Sequence, residues 1–370
     1  MRPETMKTVG AVGVPLVGVV TLVLGWNAKP GVVVVVLMAV VLAATVLAAV
    51  HHAEVIAHKV GEPFGSLVLA VAVTVIEVAL IITLTVSGGP EAASLARDTV
   101  FAAVMITANG IIGLCLLVGA LRHGVIRFNA EGAGALLATV TTLAVLCFVL
   151  PTFTSGAAQQ FSTSQLVFVA VASLALYALF VTTQTLKHRD FFLPVEPDDS
   201  TAGPASSDEP EHDHASAPSA RQTLVSLGLL LLSLVAVVGL AKLVSPSIEA
   251  GVAAIGFPAS FVGVVIALLV LLPESIAAVR AAQRNRIQTS INLGLGSAIA
   301  SIGLTIPAIA VASFFLPGPL LLGLGPTQIV LLVLTVLISI LTIAPGRATR
   351  LQGGVHLAVF AAFVFLSIAP

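Results

Sequence analysis

Ionisable side chains are scarce in this sequence: Asp, Glu, Lys and Arg make up 9% of its 370 residues against 58% hydrophobic, and the mean hydropathy is +1.12. So little charge cannot coat soluble domains of that size, which excludes a soluble enzyme. The charges that remain nearly cancel, 16 basic against 17 acidic for a net of -1, so no broad field invites nucleic acid and none is expected as a partner. Cysteine is reduced to Cys115 and Cys147, both inside apolar blocks without a neighbour at metal-ligand spacing, and both read as small core hydrophobes. The sequence has no clustered His and Cys ligands for haem or zinc, no GxSxG, and no His mid-span beside a Ser. Neither an intramembrane enzyme nor a resident cofactor is expected.

Apolar runs, by contrast, are abundant and long enough to cross a hydrocarbon layer of about 30 Å, which takes roughly 20 helical residues. Eleven stand between charged or Pro/Gly punctuation: 9–25, 31–50, 64–86, 100–121, 132–153, 165–186, 222–243, 257–279, 290–313, 326–344 and 355–369. The last is short enough to be a partial crossing. An all-α membrane protein of about eleven transmembrane helices, surrounded by a lipid bilayer, is the expected fold class. Arg2 and Lys7 precede the first run as in a signal peptide, but no small-residue cleavage site follows, so the run reads as a retained helix. The basic residues then sort by side: 13 of the 16 fall on one, and only Lys29, Arg97 and Lys242 on the other. By the positive-inside rule the N-terminus is cytoplasmic and Pro370 lies outside the cell (inner) membrane.

One stretch interrupts the runs. EPDDSTAGPASSDEPEHDHASAPSA (Glu196 to Ala220) holds seven of the 17 acidic residues and too few hydrophobes to fold. It reads as a solvated cytoplasmic linker, with His212, Asp213 and His214 leaving open a weak cation-binding or regulatory tract. The resulting organisation is an extra N-terminal helix in residues 1–30, a first five-helix group in 31–186, the acidic linker in 187–221 and a second five-helix group in 222–370. Before the third run, HHAEVIAHKVGEP (His51 to Pro63) can set His51, Glu54 and His58 on one helix face, as a solvated helix end or a pH-sensing element.

Almost every charge can be placed at a span end or in a loop, but Glu77 in AVTVIEVALIITL and Glu274 in ALLVLLPESIAAV cannot. A charge at the centre of a membrane helix costs about 2.5 to 3.5 kcal/mol even on insertion scales, so such a residue is a functional-site hypothesis. Each lies in the second helix of its group of five. Five is odd, so the two groups cross in opposite senses, the pattern of a secondary transporter built from inverted repeats with its site near the midplane. Thr74, one turn before Glu77, can add a hydroxyl on the same face. The helix after each carboxylate carries small polar residues, Asn109 in VMITANGIIG and Ser297 and Ser301 in GLGSAIASIGLTIP, which serve as ligands or as helix–helix hydrogen bonds. Gly110, Gly113, Gly294, Gly296 and Gly303 permit close helix approach and local unwinding, and Pro273 and Pro307 should kink their helices.

The segments GEPFGSLVLAVAVTVIEVALI (Gly61 to Ile81) and LLVLLPESIAAVRAAQRNRIQTSINLGLGSAIASIGLTIP (Leu268 to Pro307) resemble the calcium/cation antiporter superfamily. The likeness is strongest to bacterial calcium/proton antiporters that also exchange sodium, or sodium and potassium, for protons, and it covers most of the chain. It implies one extra helix followed by two inverted five-helix repeats. It also implies a metal site with paired glutamates at Glu77 and Glu274 and small polar ligands at Asn109, Ser297 and Ser301. Two departures, Met105 one turn before Asn109 and Ile76 before Glu77, imply a site poorer in oxygen than that of strict calcium exchangers.

Carboxylates withdrawn from water and facing each other take up protons readily, and a hard cation competes for the same oxygens. Calcium takes roughly six to eight of them, sodium fewer. The expected function is therefore secondary active exchange of calcium, or of sodium or potassium, for protons by alternating access, at about two protons per calcium. A cation channel with Glu77 and Glu274 lining its pore is the other reading.

Overall fold

The computed structural model describes residues 3–27, 31–61, 64–88, 93–154, 159–193, 218–315 and 318–369. Within lipid a backbone must satisfy its own hydrogen bonds, and each apolar run accordingly forms a helix. In chain order these are α1 (Pro3–Gly25), α2 (Val32–Val60), α3 (Phe64–Gly88), α4 (Leu95–His123), α5 (Ala130–Phe153) and α6 (Thr163–Lys187). They continue with α7 (Ala220–Ala254), α8 (Phe261–Val270 and Leu272–Gln283), α9 (Ile287–Ser313), α10 (Pro326–Ile343) and α11 (Arg350–Ile368). Among the described residues, nine helices are long and apolar enough to cross a membrane, and bent α8 makes a tenth. The apolar part of α1, Val12–Gly25, is shorter, so the expected eleven crossings are approached and not reached by this measure.

Several helices outrun the apolar blocks that announced them. α2 continues past residue 50 through the His-rich stretch to Val60, and α7 continues past residue 243 to Ala254. Lys242, which closed the seventh run in the sequence reading, does not end its helix: its ammonium lies 5.8 Å from the centre of the Trp26 ring, so the long stem stays among apolar groups while the charge finds a π-face. The last helix is not partial. Thr349 caps it, reciprocally paired with Gln352, and starts α11 at Arg350, five residues before the apolar run begins. The expected linker also begins later than residue 187, because Arg189–Phe192 forms a 3₁₀ turn whose Phe192 carbonyl accepts from Asn292 Nδ2 at 2.6 Å. The acidic and histidine residues of the stretch from Glu196 to Ala220, and Arg2 and Lys29, lie outside the described residues.

Two apolar cores organise the packing. One gathers residues of α4, α5, α6, α9, α10 and α11; the other gathers α1, α2 and α7. α3 and α8 belong to both. Ile76, Leu80 and Leu84 of α3 face the second core and Ile81 the first; on α8, Val262, Ile266 and Val270 face the second, and Val264, Ala267 and Leu271 the first. The helices that carry Glu77 and Glu274 are thus wedged between two packed bodies.

Local breaks fall where the sequence placed Pro and Gly. α8 bends by 56° between Val270 and Leu272, immediately before Pro273, which has no N–H to donate and whose ring would collide with the preceding turn. Pro307 does not produce such a kink. α9 instead widens into a π turn at Ser301–Thr305 just ahead of it, which re-routes the backbone bonds that a proline disrupts. α4 has a matching π turn at Ile106–Ile111, so the glycine-bearing segments widen and do not unwind into coil.

Candidate cation site

The bend in α8 gives Glu274 an unusual setting. It lies in the first turn of Leu272–Gln283, where unsatisfied N–H groups and the positive end of the helix dipole favour a carboxylate in the middle of a span. Its Oε2 is buried and has no hydrogen-bond partner among the described residues. Glu77, 4% exposed, is held differently: Ser301 Oγ donates to its Oε1 at 2.6 Å and Thr305 Oγ1 to its Oε2 at 3.0 Å. Both hydroxyls come from the π turn of α9, so the second half of the chain grips the carboxylate of the first.

Glu77, Glu274, Thr74, Ser297 and Ser301 line one cavity of about 260 Å³. Leu69, Val73, Tyr177, Phe180 and Leu271 supply much of its apolar wall, and Gln184, Thr185, Thr289 and Asn292 stand where α6 ends and α9 begins. Among the described residues, no Lys, Arg or His lines it. Among the described residues no three His, Cys, Asp or Glu side chains gather as a metal cluster, so a cation here would draw on two carboxylates plus hydroxyls, amides and water.

Asn109 is not among the residues lining that cavity. Its Nδ2 donates to Thr335 Oγ1 at 2.9 Å, and its Oδ1 meets His356 Nδ1 at 3.1 Å, while His356 Nε2 pairs with Thr342 Oγ1 at 3.1 Å. This chain of buried polar groups ties α4 to α10 and α11. It depends on backbone proximity that glycine allows: a Cβ on Gly113 would lie 2.9 Å from His356 Cβ, and one on Gly353 would lie 2.6 Å from the Leu117 nitrogen. Sequence reasoning missed four of the polar groups around the two sites: Thr305, Thr335, Thr342 and His356. Thr305 was legible as the residue four beyond Ser301, on the same helix face; His356 was obscured because the last run was started beside it and not at the Thr349 cap. The helix end at His51 is as the spacing suggested, with Glu54 Oε2 4.0 Å from His51 Nδ1 and both side chains more than half exposed.

A family model described as sodium/calcium exchanger protein matches residues 30–186 and 225–369. A protein of Sinorhizobium fredii named as an ionic transporter, y4hA, is 48% identical over 324 residues, covering 87% of this chain and 85% of the relative. The sodium-potassium/proton antiporter ChaA of Escherichia coli is 33% identical over 358 residues, covering 96% of this chain and 95% of the relative. Among solved structures, native YfkE superposes with a TM-score of 0.70 at 18% identity, covering 98% of this chain and 99% of that one, and so shares the fold.

Proposed function

This chain belongs to the sodium/calcium exchanger protein family, and on that premise we propose that it is a multi-pass membrane antiporter exchanging cations for protons, with Glu77 and Glu274 carrying one or the other. One observation supports the assignment of these two residues above the rest: a carboxylate from each half lines the same cavity, and among the described residues no basic side chain lines it with them. Two carboxylates in a largely apolar cavity, Glu77 buried and Glu274 half-buried with its Oε2 out of water, are costly when ionised and empty, so the stable occupants are protons or a cation. Thr74, Ser297 and Ser301 would add oxygens, and calcium, sodium or potassium would complete its shell with water. Asn109, committed to Thr335 and His356, supports α4 at a distance from the ion.

Exchange further requires that the site face one side at a time. The packing supports this, because α3 and α8 lie between two cores that can shift against each other. The turn of α3 beyond Glu77, Leu80 and Ile81, is buried, which favours alternating access over a continuous pore. The basic residues place the N-terminus in the cytoplasm and Pro370 outside in this reading. Gln184 and Asn292, which adjoin the basic loops, would then open the cavity to the cytoplasm.

The test is flux in proteoliposomes. An imposed pH gradient should drive calcium, sodium or potassium uptake in the wild type, and Glu77→Gln and Glu274→Gln should each abolish it. Absence of all three fluxes in the wild type would end the proposal; persistence in either variant would remove that glutamate from it.

A further inference from the structure

Consecutive helices run in opposite senses, so the ends of α3, α7 and α11 and the starts of α4, α8 and α10 share one face, opposite the face where α6 ends and α9 begins. Two more cavities lie on that far face. One, of about 160 Å³, is lined by Leu84, Glu249 and Val262 among others; the second, of about 210 Å³, by Phe101, Val264, Leu331 and Phe363 among others. Asp98 and Ser260 line both. Asp98 is 4% exposed, accepting from Ser94 Oγ at 2.7 Å and from Arg97 Nε at 2.8 Å. Arg97 in turn donates through Nη1 to Gln159 Oε1 at 3.0 Å and to the Gly323 carbonyl at 2.8 Å, so one guanidinium clasps three separate segments around this carboxylate.

The partition between these cavities and the glutamates is thin. On α4, Asp98 lines the far cavities and Ala103 the glutamate cavity, five residues or about 7.5 Å along the axis. On α8 the step from Val264 to Ala267 is three residues, about 4.5 Å. Phe101 fills the gap, edge-on to Phe363 with ring centres 5.9 Å apart.

Building on the antiport reading, we propose that Asp98 marks the far-side port of the exchange path: when the near face closes, the partition of Phe101, Val264 and Phe363 parts, and cations and protons reach Glu77 and Glu274 past Asp98. A cation arriving at Asp98 competes with Arg97 for its oxygens. Arrival therefore loosens the clasp that holds Gln159 and Gly323, which links occupancy of the port to its opening.

Single cysteines in the full chain, with Cys115 and Cys147 replaced by Ala, test the route in proteoliposomes. Ser260→Cys and Val264→Cys should react with a membrane-impermeant thiol reagent only from the face opposite the one that labels Thr185→Cys, with Val264→Cys reacting faster while cation and pH gradients drive turnover. Val264→Cys that never reacts from the far face, or reacts from the near face, overturns the route. In flux assays Asp98→Asn should raise the half-saturating cation concentration about tenfold at the far face only, as expected when one charge stops concentrating cations at a cleft, and Asp98→Glu should restore it. An equal change at both faces would make Asp98 merely structural. A wild type without exchange would overturn the antiport reading, whereas the sidedness of labelling is read without flux.

Discussion

Replacing each glutamate by glutamine makes one chemical change in two settings, and the structure predicts unequal consequences for stability. Glu77 accepts two short hydroxyl hydrogen bonds from Ser301 and Thr305. Bonds to a charged acceptor contribute about 1.5 to 3 kcal/mol each and neutral ones about 0.5 to 1.5, so Glu77→Gln should forfeit about 1 to 3 kcal/mol of hydrogen bonding against the desolvation cost that it removes. Glu274 presents a buried oxygen without a partner among the described residues. Neutralising a buried group of that kind removes a desolvation cost, so Glu274→Gln should leave stability unchanged or raise it by about 1 to 2 kcal/mol. The assay is thermal unfolding of the full chain in detergent, in alkaline and cation-free buffer, where both carboxylates are ionised and no ligand masks the difference. The expected order of midpoints is Glu274→Gln at or above wild type and Glu77→Gln below Glu274→Gln. Cation affinity, by contrast, should fall about a hundredfold or more in each, since each loses one of two charges facing the ion. If Glu274→Gln unfolds as early as Glu77→Gln, the carboxylate has a partner and the reasoning from its isolation is wrong.

Ser301→Ala and Thr305→Val each remove an oxygen beside Glu77 and a donor that fixes its carboxylate, and each should raise the half-saturating cation concentration about tenfold in flux assays, while Ser301→Thr retains most of the affinity. Asn109→Leu takes one partner each from His356 Nδ1 and Thr335 Oγ1, so unfolding should come about 1 to 3 kcal/mol earlier with little change in apparent cation affinity; the reverse pattern would put Asn109 at the ion. A Cβ on Gly239 would meet Leu22 Cδ1 at 2.5 Å, so Gly239→Ala should destabilise the protein by about 1 to 3 kcal/mol and Leu22→Ala should relieve much of that loss. Additive losses in the double variant would mean that α1 does not dock on α7 as described.

Helix positions were legible because hydropathy alone decides whether a segment enters a bilayer, and the two carboxylates stood out because few other charges lie mid-span. Helix ends were less legible. A run ends in sequence at the first polar residue, but the helix ends where its backbone bonds can be capped, which is why α2 runs on through His51 and Lys59 and α11 starts at the Thr349 cap. The destination of small polar residues was not legible either. Asn109 and Ser301 look alike in sequence, each in a Gly-rich helix after a glutamate; which of them meets a carboxylate depends on the rotation of α4 and α9, and each rotation is reset by its π turn.

The unequal settings of the two glutamates trace to one difference between the halves. Ser301 follows Glu274 by 27 residues, and it reaches across to Glu77. The helix that follows Glu77 returns no such hydroxyl: Ala103 of α4 lines the cavity, and Asn109 is committed to Thr335 and His356. Glu274 therefore relies on a helix N-terminus created by Pro273, an arrangement whose strength comes from partial charges and not from a hydroxyl. A carboxylate held in that way keeps Oε2 without a hydrogen bond among the described residues. It is the one able to accept an incoming ion without first surrendering a hydrogen bond, whereas Glu77 must exchange the hydroxyl bonds of α9 for the same ion and so transmits its arrival to the second half of the chain.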